Sequence, residues 1–579
     1  MGALTPILER RLPSRIVHPV IIETLPGKLY DIMHEIRPYS FEIVRTLLDR
    51  IAPPEVPFFF PRFMDIPRFN MLACILPREV IEDYAVDDRV VKIYPDDVVY
   101  AFQYPTVPPA GIFVAERPIR MEKKKVTFTS TYWTKRLIGC DVANEKGFMG
   151  RRIRVAVLDT GSSAVHEMLR GRIQYPIHSP YPLPTVDLNG HGSWTSACVG
   201  GRRAVDEVLS RLSGRTVLCE GMAPESTIIP IKVLDFVVGM GSNSSIIKGV
   251  EIALEMGVDV LSLSLGGKEE ANKEEDDPHF KVFEEVKKEK VVACVAAGNE
   301  GPNEGTIGSP GALSNVLTVG AYDPITGEIA GYSSMGPTPW GSIKPDVVCP
   351  GGGYPQNGID NAIVNMLDMA GDGTENRFSP IQGTCLPSDI DLGGIIMKEI
   401  GLGDVVKAFN NNAIINDVVL AKWYQGENIT YEIELEDGRT IRATPEHKIL
   451  VKRNNELIWV EVKDLKKGDE VVVESSKLVK VKKVQKYAKE TVYDITTLTH
   501  NFLANSIVVH NSMATPHCAG LVALMRECHR RVLGKTLELD EIIRMMASLG
   551  HPKTNTDGYG LISWSIYERW LETEYSVRL

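Results

Sequence analysis

Cysteine is scarce: nine in 579 residues, irregularly spaced and with no Cys-x-x-Cys pair. That excludes a disulfide framework and leaves reduced thiols as the default. No apolar run approaches the roughly 18 residues that a membrane-spanning helix needs. The start, Met1 to Pro19, mixes charges and prolines where a secretory signal would carry an apolar stretch. The missing signal favours the cytoplasm and leaves export open. Basic residues are outnumbered, with 64 Lys and Arg against 75 Asp and Glu for a net charge of −11. This argues against a general binder of nucleic acid or anionic membrane. What is present is ordinary: 44% hydrophobic and 24% charged residues can fill one or more sizeable cores, which excludes global disorder and fibrous repeats. The length suggests about two to four domains.

Three textures follow one another along the chain. Up to about residue 115, "FNMLACILP" (69–77) reads as a strand, and in "REVIEDYAV" the residues Val80, Ile81 and Tyr84 share one helical face. "RVVKIYPDDVVYAF" (89–102) reads as two short strands around a Pro-Asp turn, giving a small α+β module. "PTVPPAG" (105–111) and the charged run Glu122 to Lys125 read as a linker reaching to about 127. From about 128 the strands 153–161, 227–235, 258–267 and 291–299 alternate with helical patterns such as Ser245 to Met256 and Phe280 to Lys290. This alternation predicts a doubly wound, largely parallel α/β sheet. Residues 385–511 change again to period-two strands. Tyr431, Ile433 and Leu435 precede Asp437-Gly438, with Ile441 and Ala443 beyond, and 448–462 repeats the plan around Asn454-Asn455. Such spacing predicts an all-β domain inserted into the α/β unit, which resumes over 512–579.

The chemistry-bearing residues fall at the ends of these elements. Asp159 closes a strand, His191 lies in the Gly-flanked "NGHGSWTSACVGG", and Asn299 follows "VVACVAAG". Ser512 opens "SMATPHCAGLVALM", a stretch suited to a buried helix. A Ser at a helix N-terminus is placed where free N–H groups stabilise developing negative charge. Acid, base, nucleophile and amide donor make a hydrolase constellation. Each alone has a plainer explanation: a turn cap, a structural His, an N-cap. Together, in the order Asp, His, Ser, they match the order found in subtilisin.

The strings "VAVLDTG", "NGHGS", "GMAPESTIIPIKVLD", "SLSLGG", "AAGNEGP", "YSSMGPT", "KPDVVCPGGG" and, across the insertion, "GT…SMATPHCAG" resemble the subtilisin-like serine proteases over most of 128–384 and 512–579. The resemblance implies that Asp159 supports the imidazole, His191 is general base then acid, Ser512 is the nucleophile and Asn299 donates into the oxyanion hole. Ser264, Leu265 and Gly266 would bind substrate backbone as an edge strand. One departure is Ser193-Trp194, where the family commonly has Thr-His. The leader, 1–115, resembles the family's propeptide, implying an inhibitor and folding chaperone. The loop Glu269 to Asp277, with six acids and one Lys, reads as solvated. A rim selecting basic side chains and a calcium site are the alternatives, and no metal ligand is assigned.

The insertion separates Ser512 from its own motif: without 385–511, Thr384 joins Ser512 to give "GTSMATPH". It begins with Cys385 and ends in His510-Asn511. A thiol can attack the preceding carbonyl, a hydroxyl can accept the acyl group, and Asn can cyclise to break the chain behind it. With "RATPEHKILV" and "VYDITTLTHNFLANSIVVHN", the insertion resembles a mini-intein of the Hint fold. That resemblance implies thioester formation at Cys385 aided by Thr444 and His447, transfer to Ser512, and Asn511 cyclisation assisted by His510 and His500, with Asp494 in proton transfer or positioning. No cofactor is required. Removing 127 residues from 579 would leave 452.

The expectation is therefore a self-splicing precursor of a subtilisin-like endopeptidase. Its partners would be peptide or protein substrates and its own leader, without nucleic acid or a membrane span. The alternatives are a splicing precursor of a catalytically inactive peptide-binding module, and an insert that cleaves without ligating.

Overall fold

The computed structural model describes residues 3–14, 17–49, 63–101, 129–174, 176–180, 187, 189–207, 210, 216–234, 239–301, 303–352, 359–362, 378–381, 386–387, 405–410, 413–436, 440–443, 448–453, 456–462, 465–473, 477–497 and 514–579. The expected linker, the Asp437-Gly438 turn and the Asn454-Asn455 turn lie outside them.

The leader is a four-stranded antiparallel sheet in the spatial order Phe63–Ile66, Met71–Pro77, Val17–Thr24, Val90–Pro95, with helices Leu29–Asp49 and Arg78–Tyr84. Its strand Met71–Pro77 is buried along nearly all its length because it faces two cores. Leu72, Cys74 and Leu76 meet Val80, Ile81, Ile32 and Ile36 inside the leader. Met71 and Ala73, on the opposite face, pack with Ile246, Ile247 and Val250 of the α/β unit. Alternate side chains of a strand point to opposite faces, so a strand covered twice reads as one continuous apolar run. Val90–Pro95 and Val98–Ala101 are the two expected short strands, but they part company. The first stays in the leader sheet. The second crosses over and pairs antiparallel with Met240–Ser242 on one side and Leu265–Gly266 on the other.

In the α/β unit six strands run parallel in the order Thr227–Lys232, Arg154–Asp159, Val260–Leu263, Val292–Ala296, Leu317–Tyr322, Val347–Pro350. Four were expected; the last two were not anticipated. Val155, Val157, Val260, Val292 and Leu317 pack towards helices His191–Gly200 and Pro516–Leu533. Ala156, Leu158, Leu261, Ala293 and Val295 pack towards Asn243–Glu255 and Phe280–Lys288. Both faces are thus covered, as a doubly wound sheet requires.

The insert is antiparallel, built on the long strands Ala413–Leu435 and Lys477–Thr497, which pair with each other. Thr440–Ala443 pairs back as expected, Tyr431 opposite Ala443 and Ile433 opposite Ile441. Lys448–Arg453 pairs with Glu456–Glu461.

Candidate active site

Parallel strands present all their carboxyl ends at one edge of the sheet. Asp159 is the last residue of its strand, and His191 is the first residue of the helix lying over that end. The helix can approach because glycines line its path. Gly190 holds φ 91° at the N-cap, a conformation L side chains rarely adopt. A Cβ on Gly192 would come within 2.0 Å of the Gly161 carbonyl oxygen.

The imidazole and carboxylate meet at 2.6 Å, His191 Nδ1 to Asp159 Oδ1, both essentially inaccessible to solvent. Thr160 N–H donates to Asp159 Oδ1 at 2.7 Å and Thr195 Oγ1 to Oδ2 at 3.1 Å, so the buried carboxylate is fully hydrogen-bonded. With Nδ1–H assigned as the donor to Asp159, Nε2 is the nitrogen left to act as base.

Asp187 organises this junction and was missed in the sequence. Its Oδ1 accepts from Thr160 Oγ1 (2.9 Å) and Gly190 N–H (2.8 Å), and its Oδ2 from Ser193 N–H (2.7 Å) and Ser193 Oγ (2.6 Å). Thr160 Oγ1 accepts in turn from Gly192 N–H at 2.9 Å, and Lys232 Nζ donates to the Thr160 carbonyl at 2.5 Å. The turn after the acid is thereby tied to the head of the base helix. The available signal was an Asp four residues before His191, one residue removed from the "NGHGS" string.

Asn299 lies just beyond the strand Val292–Ala296. Its side-chain Nδ2 is buried without a hydrogen-bond partner among the described residues, while its backbone N–H donates to Glu300 Oε2 at 2.9 Å. An unpaired buried donor costs about 1–3 kcal/mol, so this amide is poised for an acceptor. Burial raises the pKa of Glu300, whose Oε2 also accepts from Ser334 Oγ at 2.9 Å. Of the expected substrate residues, Leu265 and Gly266 carry the leader strand opposite Ala101 and Tyr100, and the Ser264 hydroxyl is buried without a described partner.

Ser512 lies outside the described residues; the helix that follows it, Pro516–Leu533, does not. It packs so closely on the base helix that a Cβ on Gly520 would lie 3.0 Å from the Val199 carbonyl oxygen. The departure at Trp194 is absorbed here: its Nε1 donates to the Ile359 carbonyl at 3.3 Å and its ring lies 6.1 Å from that of His517. Burial pushes His517 down to about 3, so it stays neutral, with Nε2 at 2.7 Å from Thr134 Oγ1.

Cys385, Thr444, His447, His500, His510 and Asn511 also lie outside the described residues. Asp494 is in the strand Lys477–Thr497, opposite Trp423. Leu386, the residue after Cys385, pairs with Tyr493, the residue before Asp494.

The acidic loop is not left to solvent. Arg11 of the leader reaches Glu270, and Lys92 donates to the Glu275 carbonyl (2.7 Å) and Asp276 Oδ1 (2.5 Å). Among the described residues no three His, Cys, Asp or Glu side chains converge on a metal position, and no helix is long and apolar enough to cross a membrane.

A family model of the subtilases matches residues 150–385, and one of the intein splicing domain matches 395–486. Serine protease AprX of Bacillus subtilis is 33% identical over 267 residues, 44% of this chain and 58% of that protein. Pyrolysin of Pyrococcus furiosus is 34% identical over 314 residues, 46% of this chain and 21% of its own length. Subtilisin DY of Bacillus licheniformis is 32% identical over 206 residues, 34% of this chain and 67% of that protein. A doubly wound sheet with an Asp-His pair at its carboxyl edge and those matches agree: the chain belongs to the subtilase family, and an intein splicing domain follows the subtilase match.

Proposed function

We propose that the chain is a self-splicing precursor of a serine endopeptidase, in which Ser512 is both the splice acceptor and the protease nucleophile. The observation that carries the protease half is the buried Asp159–His191 hydrogen bond of 2.6 Å. His191 Nε2 takes the Ser512 hydroxyl proton as Oγ attacks the scissile carbonyl, and returns it to the leaving amine. Asp159 holds the ring and supports the imidazolium. Asn299 Nδ2 donates to the oxyanion. Water then hydrolyses the acyl-enzyme by the same proton path.

In splicing, Cys385 sulfur displaces the amide nitrogen at the Thr384 carbonyl, aided by Thr444 and His447. Ser512 oxygen takes the acyl group and releases the thiol. Asn511 cyclises with His500 and His510 assisting and Asp494 positioning, and an O-to-N shift forms the Thr384–Ser512 amide. The pairing of Leu386 with Tyr493, which draws the start of the insert to its last described strand, supports this reading. No cofactor is needed. The leader serves as inhibitor and folding chaperone.

Before splicing, the Ser512 nitrogen is bonded to Asn511 rather than Thr384, so the nucleophile is not in its protease setting. Intact mass should show the 579-residue chain giving a 452-residue product, less any leader removed, and a fluorophosphonate should label that product at Ser512. Full peptidase activity from an unspliced Cys385→Ala/Asn511→Ala chain would overturn the coupling. A spliced product that resists the label would leave only peptide binding.

A further inference from the structure

The leader strand Val98–Ala101 lies in the cleft as a peptide would, with Ala101 opposite Leu265 and Tyr100 opposite Gly266. Antiparallel register carries its other end, at Val98 and Asp97, towards Lys268, Glu269 and Glu270. The Asn243 N–H also donates to the Asp97 carbonyl at 2.9 Å, so residue 97 is held by the protease backbone. Its side chain, however, does not match its surroundings: it is an acid facing an acid. Arg11 resolves the clash. One guanidinium nitrogen bonds Asp97 Oδ1 at 2.5 Å and the other bonds Glu270 Oε2 at 2.6 Å. The two carboxylates are therefore one guanidinium apart.

Arg11 belongs to the leader, in the helix Pro6–Arg11. A peptide that enters the cleft in the leader's place brings no Arg11, and Glu270 Oε2 is left facing the substrate position now held by Asp97. Lys268 faces the other oxygen, Oε1, at 3.7 Å and is mostly exposed, so it leaves Oε2 open. Beside it lies a cavity of about 340 Å³ whose other wall, Ile7, Arg10 and Arg11, belongs to the leader, so departure of the leader opens Glu270 to an incoming side chain on that side.

We propose that Glu270 forms a subsite for a cationic side chain, a Lys or Arg of the substrate at the position that Asp97 occupies in the leader. The inference rests on the peptidase reading for its substrate and on the observed ion bridge for its chemistry. The leader meets the same subsite indirectly, with Arg11 supplying the cation, and so docks as an occupant whose charge is completed from its own fold.

The full chain tests the chemistry without catalysis. Arg11→Ala leaves Asp97 and Glu270 facing each other, and amide hydrogen exchange across Val98–Ala101 should quicken about two- to five-fold, the scale of a partly exposed ion pair. Adding Asp97→Lys should restore protection, and adding Glu270→Gln to that pair should remove it again. Unchanged exchange in Arg11→Ala, or no restoration by Asp97→Lys, overturns the proposal. The matured chain tests the preference, on fluorogenic peptides with the sequence of 95–106 and Lys or Gln at position 97. At low salt kcat/KM should favour Lys by about two- to five-fold, mainly through KM, and the ratio should approach one at high salt and in Glu270→Gln. Equal turnover of the two peptides at low salt overturns it. Restored exchange with no turnover of either peptide sinks the peptidase reading and leaves the subsite standing.

Discussion

Asp159 and Asp494 are both strand acids, yet they sit in opposite kinds of sheet. In the host, six parallel strands place all carboxyl ends on one edge, so residues 159 and 191 meet there and Asn299 lies beyond the same end of the strand two places along. In the insert, antiparallel strands send successive ends to opposite edges. Its convergence comes instead from a long-range pairing: Leu386–Pro387 pairs with Val492–Tyr493, so its first described strand lies on its last. A parallel sheet gathers chemistry from the interior of a sequence, whereas in the insert one pairing across about a hundred residues brings its first described strand to its last.

If the two regions divide the labour in this way, damage to one site should spare the other. His191→Ala should lower peptidase kcat by about 10⁶-fold, the loss known for the subtilisin triad, while intact mass shows splicing at an unchanged rate. Slowed splicing would merge the two centres. Asn299→Ala should cost about 10²–10³-fold in kcat, as oxyanion donors do, again with splicing intact. Asp187→Ala removes four buried hydrogen bonds and should destabilise the host by about 2–4 kcal/mol, a shift that belongs to the α/β unit alone when unfolding is followed by hydrogen exchange.

The smallest effect concerns the leader's hold on the host. Asp96 is buried, and that burial pushes its pKa up to about 7 although Ser244 N–H and Oγ donate to it. In the free leader it would titrate near 3.9. The docked state therefore binds the extra proton between those values. Its contribution is fully present below about pH 4 and is lost as pH rises through about 7. Leader dissociation followed against pH should lose that slope in Asp96→Asn.

Much of the host was legible because its signals are local. "VAVLDTG" is a buried strand ending in a turn, and "NGHGS" carries glycines whose absence of Cβ is what lets Gly192 touch Gly161. The hairpin over 431–443 was legible from alternation and Asp-Gly alone. Asp187 was harder to read, since its place just before "NGHGS" does not announce its link to Thr160, 27 residues earlier. The destination of Val98–Ala101 was not legible, its partners lying some 140 and 165 residues onward. The acidic loop looked solvated for the same reason: its cations, Arg11 and Lys92, come from another module. Local propensity reports what a segment can become, and pairing over long separations decides what it touches.

Val98–Ala101 also has a consequence for solubility. Met240–Ser242 and Leu265–Gly266 are short strands that each present backbone donors and acceptors to the cleft between them. Bare strand edges of that kind are templates for pairing with other chains. A single leader strand covers both, and every pairing partner lies before residue 384, so the cover can form while the insert is still in place. Under the proposed splicing order, the strand would thus guard against self-association through the interval before Ser512 is joined to Thr384.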